Sequence, residues 1–261
     1  MYYMPTTSQN PIRGRDKLKS LVVSDIHSNI EAFQSVLDDS VLHGGFDEIW
    51  SLGDLVGYGP DPSAVINVMR QHKHKVVVGN HDLAAIGKLN LEAFNTHACE
   101  ANIWTRKQLT IEDHSFLEEQ PHTIEKDEFF MCHGSPRDPI WEYVISARSA
   151  LASFNYFDTY RCLVGHSHIP FVCRPEGVTN VKFQSPNPGV PLILHSDRMI
   201  INPGSVGQPR DGDPRASYAL YDSNRNTITH HRIAYDIKAT QGKMRENNLP
   251  EFLVNRLEIG Q

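Results

Sequence analysis

Five apolar runs in this chain each stop at side chains able to bind a metal. Residues 18–23 lead into Ser24-Asp25-Ile26-His27, residues 48–52 into Gly53-Asp54, and Val76-Val77-Val78 into Gly79-Asn80-His81-Asp82. Phe129-Phe130-Met131 leads into Cys132-His133-Gly134, and residues 161–164 lead into Gly165-His166-Ser167-His168. The order repeats: a hydrophobic stretch, then Asp, Asn or His, with Gly or Ser beside it. A short apolar run bounded by turn residues reads as a buried strand. The polar residues after it then occupy loops at strand carboxyl ends, where the ligand sites of α/β sheets gather. The pattern predicts that residues far apart in sequence meet along one edge of such a sheet.

The intervening segments fit this frame. Residues 29–41 carry Ile30, Phe33, Val36, Leu37 and Val41 at helical spacing and end at Gly44-Gly45. Residues 62–70 read as a helix with Pro62 at an early position, and residues 91–119 as mostly helical. This β-α-β-α-β order predicts parallel pairing in the first half. Further strands are expected at 129–132, 161–164, 171–174, 192–195, 199–201, 216–221 and 227–232, with helices at 146–155 and 235–246. Residues 222–226 read as a hairpin turn. Residues 175–191, rich in Pro, Gly and Asn, read as a long loop. Mixed sheets with helices outside are the expected result.

Composition narrows the class. At 261 residues, 39% hydrophobic and 21% charged, one soluble globular unit over 18–261 is expected. Residues 1–17 are polar, carry Pro5, Pro11 and Gly14, and lack an apolar secretory core, so a flexible N-terminal tail is expected. A net charge of −6 argues against general affinity for nucleic acid or anionic membrane. No apolar run reaches the length of a membrane span. Cys99, Cys132, Cys162 and Cys173 form no C-x-x-C pair, which fits a reduced, cytoplasmic setting.

Each motif has a chemical reading beside a bland one. Asp25 and His27 are two apart, so in an extended segment both point to one side and can grip one cation; the alternative is a helix cap and a surface histidine. Asp54 can bridge two cations roughly 3.5–4 Å apart, which need an anion between them; the alternative is a turn. Asn80 offers a neutral carbonyl oxygen. His81 is assigned to the substrate's phosphoryl oxygen and to proton donation to the leaving group, with Asp82 fixing its tautomer. His133 alone would read as a buried imidazole, whereas His166 and His168 together could reach neighbouring metals. His43, His72, His74, His97, His114, His122, His195, His230 and His231 lack the strand-then-glycine context and read as surface or core.

In their order and spacing these five blocks resemble the calcineurin-like metallophosphoesterases. The likeness continues through Asn202-Pro203-Gly204-Ser205 to about residue 221. Residues 53–60, 133–138 and 141–143 are similar to a branch of small prokaryotic phosphodiesterases. Ser167 stands where the family often has Thr. The resemblance implies a mixed α/β fold, a four-layer α/β/β/α sandwich of two mixed sheets flanked by helices. It implies one metal held by Asp25, His27, Asp54 and His168, and another held by Asp54, Asn80, His133 and His166. His81 is the implied general acid, paired with Asp82. Two divalent or mixed-valence transition metals are expected, manganese or iron first and zinc or nickel otherwise. The implied reaction is hydrolysis of a small phosphorylated substrate by direct attack of a metal-bridging hydroxide. Phosphodiesters or nucleotides are the expected substrates, dinucleoside polyphosphates among them. A phosphomonoesterase, a protein phosphatase or a non-catalytic metal-binding scaffold stands as the alternative, and the acidic balance counts against a nuclease. Asn29 and Arg137 are candidate substrate contacts, with a helix cap and a surface salt bridge as their alternatives. Tyr58, Trp141 and Tyr143 could stack on a base or belong to the core.

Overall fold

Strand alternation sets the layers. In the computed structural model, which describes residues 18–261, β1 (Lys19–Val23) turns Leu21 and Val23 to one side and Val22 to the other. After α1 (Ile30–Leu42), β2 (Glu48–Ser51) divides Ile49 from Trp50 in the same way. α2 (Pro62–Gln71) leads to β3 (His74–Val76), and the three strands pair in parallel. Then come α3 (Asn80–Ala85), a 3-10 turn at Leu91–Ala93, α4 (Thr96–Gln108) and α5 (Ile111–Glu118).

The second half supplies β4 (Thr123–Lys126), β5 (Phe129–Cys132), α6 (Ala147–Ser153), β6 (Arg161–Leu163), β7 (Phe171–Pro175) and β8 (Val181–Gln184). It continues with β9 (Pro191–Ile193), β10 (Met199–Asn202), β11 (Ala216–Asp222), β12 (Thr227–Ile233), α7 (Ile237–Glu246) and α8 (Glu251–Ile259). Two mixed six-stranded sheets result, in the orders β3-β2-β1-β11-β12-β9 and β4-β5-β6-β10-β7-β8.

Three apolar layers hold the sandwich together. Leu21 and Ile49 pack under Phe33 and Val36 of α1 and Val65 and Met69 of α2. Val22, Trp50, Ala219 and Tyr221 of the first sheet face Phe129, Met131, Leu163 and Ile201 of the second. The outer face of the second sheet, with Phe130, Cys162 and Ile200, lies against Ala150 and Phe154. Burying each large apolar side chain of this kind contributes about 1.5–3 kcal/mol. A satellite cluster joins α4, α7 and α8 around Tyr58 through Ala98, Ala101, Met244, Leu253 and Leu257. This is the expected mixed α/β sandwich.

Several local expectations are corrected. β3 ends at Val76; Val77 and Val78 leave the ladder, and their N–H groups reach Ser51 O and Pro121 O at 3.0 and 2.9 Å. The segment 175–191 is not all loop. It contains β8, an edge strand that buries only Val181 and so lacks an apolar run. β4, paired antiparallel with β5, was not expected for the same reason: none of its residues is fully buried. The tail expected at 1–17 lies outside the described residues.

Candidate dinuclear metal centre

Backbone bonds bring the five motif loops to one edge shared by both sheets. The loop after β1 runs along the loop after β2: Asp25 and His27 N–H donate to Gly53 O and Asp54 O, both at 3.0 Å. From the second sheet, Gly165 N–H donates to His133 O at 2.8 Å, and Val206 and Gly207 N–H donate to Ser24 O and Asp25 O at 3.0 Å. Asp25, His27, Asp54, His166 and His168 all hold left-handed backbone, with φ between 49° and 62°. The expected extended i, i+2 pair is therefore replaced by tight turns. Such backbone costs on the order of 1–3 kcal/mol per residue and clusters at functional sites. The glycines permit close approach. A Cβ on Gly79 would stand 2.0 Å from Asp54 Oδ1, and one on Gly165 would stand 2.0 Å from Ser24 Oγ.

All seven candidate ligands converge, in two groups that are almost completely buried. In the first, His168 Nε2 lies 3.2 Å from His27 Nε2 and 3.3 Å from Asp25 Oδ1. In the second, His133 Nε2 lies 2.9 Å from Asn80 Oδ1 and 3.1 Å from His166 Nδ1. Asp54 Oδ2 faces both, 3.6 Å from His27 Nε2 and 3.3 Å from His133 Nε2.

The donor atoms are prepared for cations. Asp25 Oδ1 and Asp54 Oδ2 are buried without a hydrogen-bond partner. Their sister oxygens accept the N–H of His166 (3.1 Å) and of His81 (2.9 Å), which holds each carboxylate in place. His27, His133 and His168 aim Nδ1 at the carbonyls of Val56, Leu52 and Gln208, leaving Nε2 toward the centre. His166 is reversed: Nε2 meets Trp141 O and Nδ1 faces inward. Fixing one ring nitrogen on a carbonyl is how ligand imidazoles are oriented. Oxygen and imidazole donors without thiolate suit first-row divalent metals.

Without cations the charges arrange themselves in a way that metal uptake must undo. Burial alone would raise Asp25 and Asp54, but neighbouring histidines, His168 for the first and His133 for the second, hold both below the carboxylate range. Burial opposes charge on His133 too, yet Asp54 outweighs it and raises its pKa to about 10. Burial lowers His166 to about 3 and His27 well below its usual value. At pH 8 the metal-free protein thus keeps one proton on His133 that a ligand nitrogen must lose. Metal uptake at pH 8 is expected to release about one proton per chain from this ring. Calorimetry in buffers of different ionisation enthalpy measures it; a heat independent of buffer would contradict the assignment.

His81 sits at the edge of both groups, its ring centre 4.9 Å from that of His27. Burial lowers its pKa to about 4, against the pull of Asp54. Asp82 does not partner it. Residue 82 lies in the first turn of α3, where its carboxylate turns back to accept the N–H of Gly79 and of Val56, each at 3.0 Å. The partner of the His81 ring is Asn102 on α4, whose Nδ2 and Oδ1 lie 3.1 and 3.3 Å from Nδ1. Asn102 was missed; its only signal was a polar residue on the buried stripe Ala98, Ala101, Thr105.

The two candidate substrate contacts go to their bland alternatives. Asn29 caps α1, accepting Ala32 N–H at 3.1 Å, and its Nδ2 donates to Gly207 O at 3.0 Å. Arg137 is exposed, and its guanidinium is closed on Glu142. Tyr143 stacks on His166 with ring centres 3.8 Å apart. Arg210 and Arg215 flank a polar turn and carry no role from sequence; Arg215 pairs with Asp213, whereas the Arg210 N–H donates to His168 O at 3.3 Å. A third cluster, Asp39, His43 and His231, stands apart, with Asp39 already accepting the Tyr218 hydroxyl at 2.5 Å.

Two facing mixed sheets with histidine–carboxylate clusters on their shared edge define a metallophosphoesterase. The chain belongs to the calcineurin-like phosphoesterase superfamily, whose domain matches residues 18–226. It is 40% identical over 245 residues to an uncharacterized protein of Methanocaldococcus jannaschii, covering 92% of this chain and 97% of that one. It is 28% identical over 131 residues to the symmetrical bis(5'-nucleosyl)-tetraphosphatase of Vibrio campbellii, a match that covers 48% of this chain and 47% of that enzyme. The crystal structure of a metallophosphoesterase from Sphaerobacter thermophilus is 45% identical, covers 94% of this chain and 100% of its own, and superposes with a TM-score of 0.86. A hypothetical protein from Pyrococcus horikoshii OT3 shares the fold at 19% identity, with a TM-score of 0.73 over 93% of this chain and 98% of its own. The chain is a phosphoric ester hydrolase by family. Among the described residues no helix is long and apolar enough to cross a membrane.

Proposed function

We propose that the chain is a dinuclear-metal-dependent hydrolase of phosphodiester or nucleotide-type substrates, dinucleoside polyphosphates among them. The observation that carries this reading is Asp54 Oδ2, buried, without a hydrogen-bond partner and facing both donor groups. Asp25, His27, Asp54 and His168 would hold one cation, and Asp54, Asn80, His133 and His166 the other. Two such cations, manganese or iron first and zinc or nickel otherwise, would supply Lewis acidity and acidify a water for attack on phosphorus.

The chain's own residues do the rest. Asn102 lies against His81 Nδ1, with its Nδ2 at 3.1 Å and its Oδ1 at 3.3 Å, and so holds the ring with Nε2 on the opposite edge. His81 then serves as the general acid. The negative charge of a bound phosphate beside the ring would raise its pKa and protonate it; the imidazolium then gives one proton to the departing oxygen and is left as neutral imidazole. Asp82 supports this at one remove by tying Val56 and Gly79, which flank Asp54 and His81. Free cysteines, three of them buried, support a cytoplasmic setting.

The test is one substrate panel on manganese-loaded protein: bis(p-nitrophenyl) phosphate, its monoester, a cyclic nucleotide and diadenosine tetraphosphate. Metal-dependent turnover fastest on a diester or on the tetraphosphate is expected. Preference for the monoester would point to a phosphatase. Two bound metals with no turnover on any compound would leave a scaffold.

A further inference from the structure

Arg210 carries a charge that nothing in the described protein neutralises. Among the described residues no carboxylate forms an ion pair with it. Its terminal nitrogen donates to Gln208 Oε1 at 2.9 Å and reaches the Tyr58 hydroxyl at 3.5 Å. Its Nε is buried and has no hydrogen-bond partner. The guanidinium carbon lies 5.9 Å from the centre of the Tyr58 ring. Arg210 also interacts with Tyr143, whose ring is 41% exposed above His166.

Three loops thus bring Tyr58, Tyr143 and Arg210 to the rim of the centre. Tyr58 lies against His27 and His81, with ring centres 4.6 and 4.3 Å away, Tyr143 lies on His166, and the Arg210 N–H donates to His168 O. A second cation, Arg256, stands near enough to feel the Arg210 charge, and burial with that charge lowers its pKa. Arg256 is partly engaged, its Nε donating to Gln261 O.

A half-buried guanidinium is expensive without an anion. Here it lies beside Tyr58 at the rim of a centre that would become more positive on binding metal, with Arg256 near enough to be repelled. A bound anion would relieve that arrangement. The cations would hold the phosphoryl group under attack; the Arg210 guanidinium is not among the candidate donors but beside Tyr58 and Gln208, where it could meet a further phosphate. Its planar fork suits two oxygens of a phosphate, and two tyrosine hydroxyls stand beside it as further donors.

We infer that Arg210, flanked by the Tyr58 and Tyr143 hydroxyls, forms a subsite for the phosphate adjacent to the one attacked, so that the preferred substrates contain a phosphate–phosphate linkage. This rests on the proposed hydrolase reading and narrows its substrate class. An isolated diester has no second phosphate to place there.

The test uses full-length, manganese-loaded wild type, Arg210→Met and Arg210→Lys, with metal content and melting temperature checked for each. Two charge-assisted bonds are lost in Arg210→Met, so KM for diadenosine tetraphosphate should rise about 10- to 100-fold more than KM for bis(p-nitrophenyl) phosphate. Arg210→Lys should recover part of that difference. Equal losses on both compounds, or a wild type that cleaves the diester but not the tetraphosphate, overturn the subsite. If wild type holds two metals and cleaves nothing, the hydrolase reading fails instead. Calorimetric binding of a methylene-bridged diadenosine tetraphosphate then still decides on Arg210: weaker binding to Arg210→Met supports the subsite, and equal binding overturns it.

Discussion

Asp54→Asn is expected to lose at least one of two bound metals per chain and to lower turnover on the order of 10³-fold. The substitution keeps the shape of the side chain and removes its charge. Its Oδ1 position still accepts the His81 N–H, so the loop after β2 keeps that anchor. What disappears is the anionic oxygen that stands 3.6 Å from His27 Nε2 and 3.3 Å from His133 Nε2. Without it two cations repel across the shared position. His133 also loses the carboxylate that raises its pKa, so the proton released on metal uptake should shrink with the same substitution. Elemental analysis after dialysis, with circular dichroism to confirm folding, measures the first effect. Full occupancy of both sites in Asp54→Asn would refute the bridging role.

His81→Ala is expected to separate metal binding from chemistry. The ring is not among the donors, and only the main-chain N–H of residue 81 holds Asp54, so the variant should keep both metals. Turnover should fall about 10²- to 10⁴-fold on substrates with alkoxide leaving groups, the usual range for loss of a general acid. A p-nitrophenolate leaves without protonation, so activity on bis(p-nitrophenyl) phosphate should fall much less. Comparing kcat for the two leaving-group types in wild type and variant gives the result. A uniform loss would mean that His81 acts on the phosphoryl oxygens rather than on the leaving group.

The convergence of the seven donors was legible because each is announced locally. An apolar run, a polar residue and a glycine are neighbours in the chain, and the strand-end loops of two facing sheets have one edge on which to meet. What was illegible depended on distant partners. Asp82 follows His81 in sequence, but α3 begins at Asn80, so the carboxylate is spent on the first turn of that helix. The true neighbour of the ring, Asn102, comes from another helix, 21 residues on. β4 and β8 escaped because edge strands bury too little to show an apolar run. Arg210 sits in a polar turn among Gln, Pro and Asp, where nothing local distinguishes a substrate-facing guanidinium from a solvated one.

The central pairing of the first sheet has a consequence for biosynthesis. β1 finds β2 soon after it is made, but its other edge pairs with β11, Lys19 facing Asp222. Pairings so distant in sequence are slow to form and must await the rest of the chain. The candidate metal donors are divided by the same gap: Asp25 Oδ2 is held by an N–H 141 residues later, and Asp25 O by the Ser205 hydroxyl 180 residues later. A nascent chain still on the ribosome, with its later strands unmade, carries the first three motifs but no cavity in which to trap a cation. The candidate donors therefore come together only after the chain has been made through β11, well past the last of them, His168.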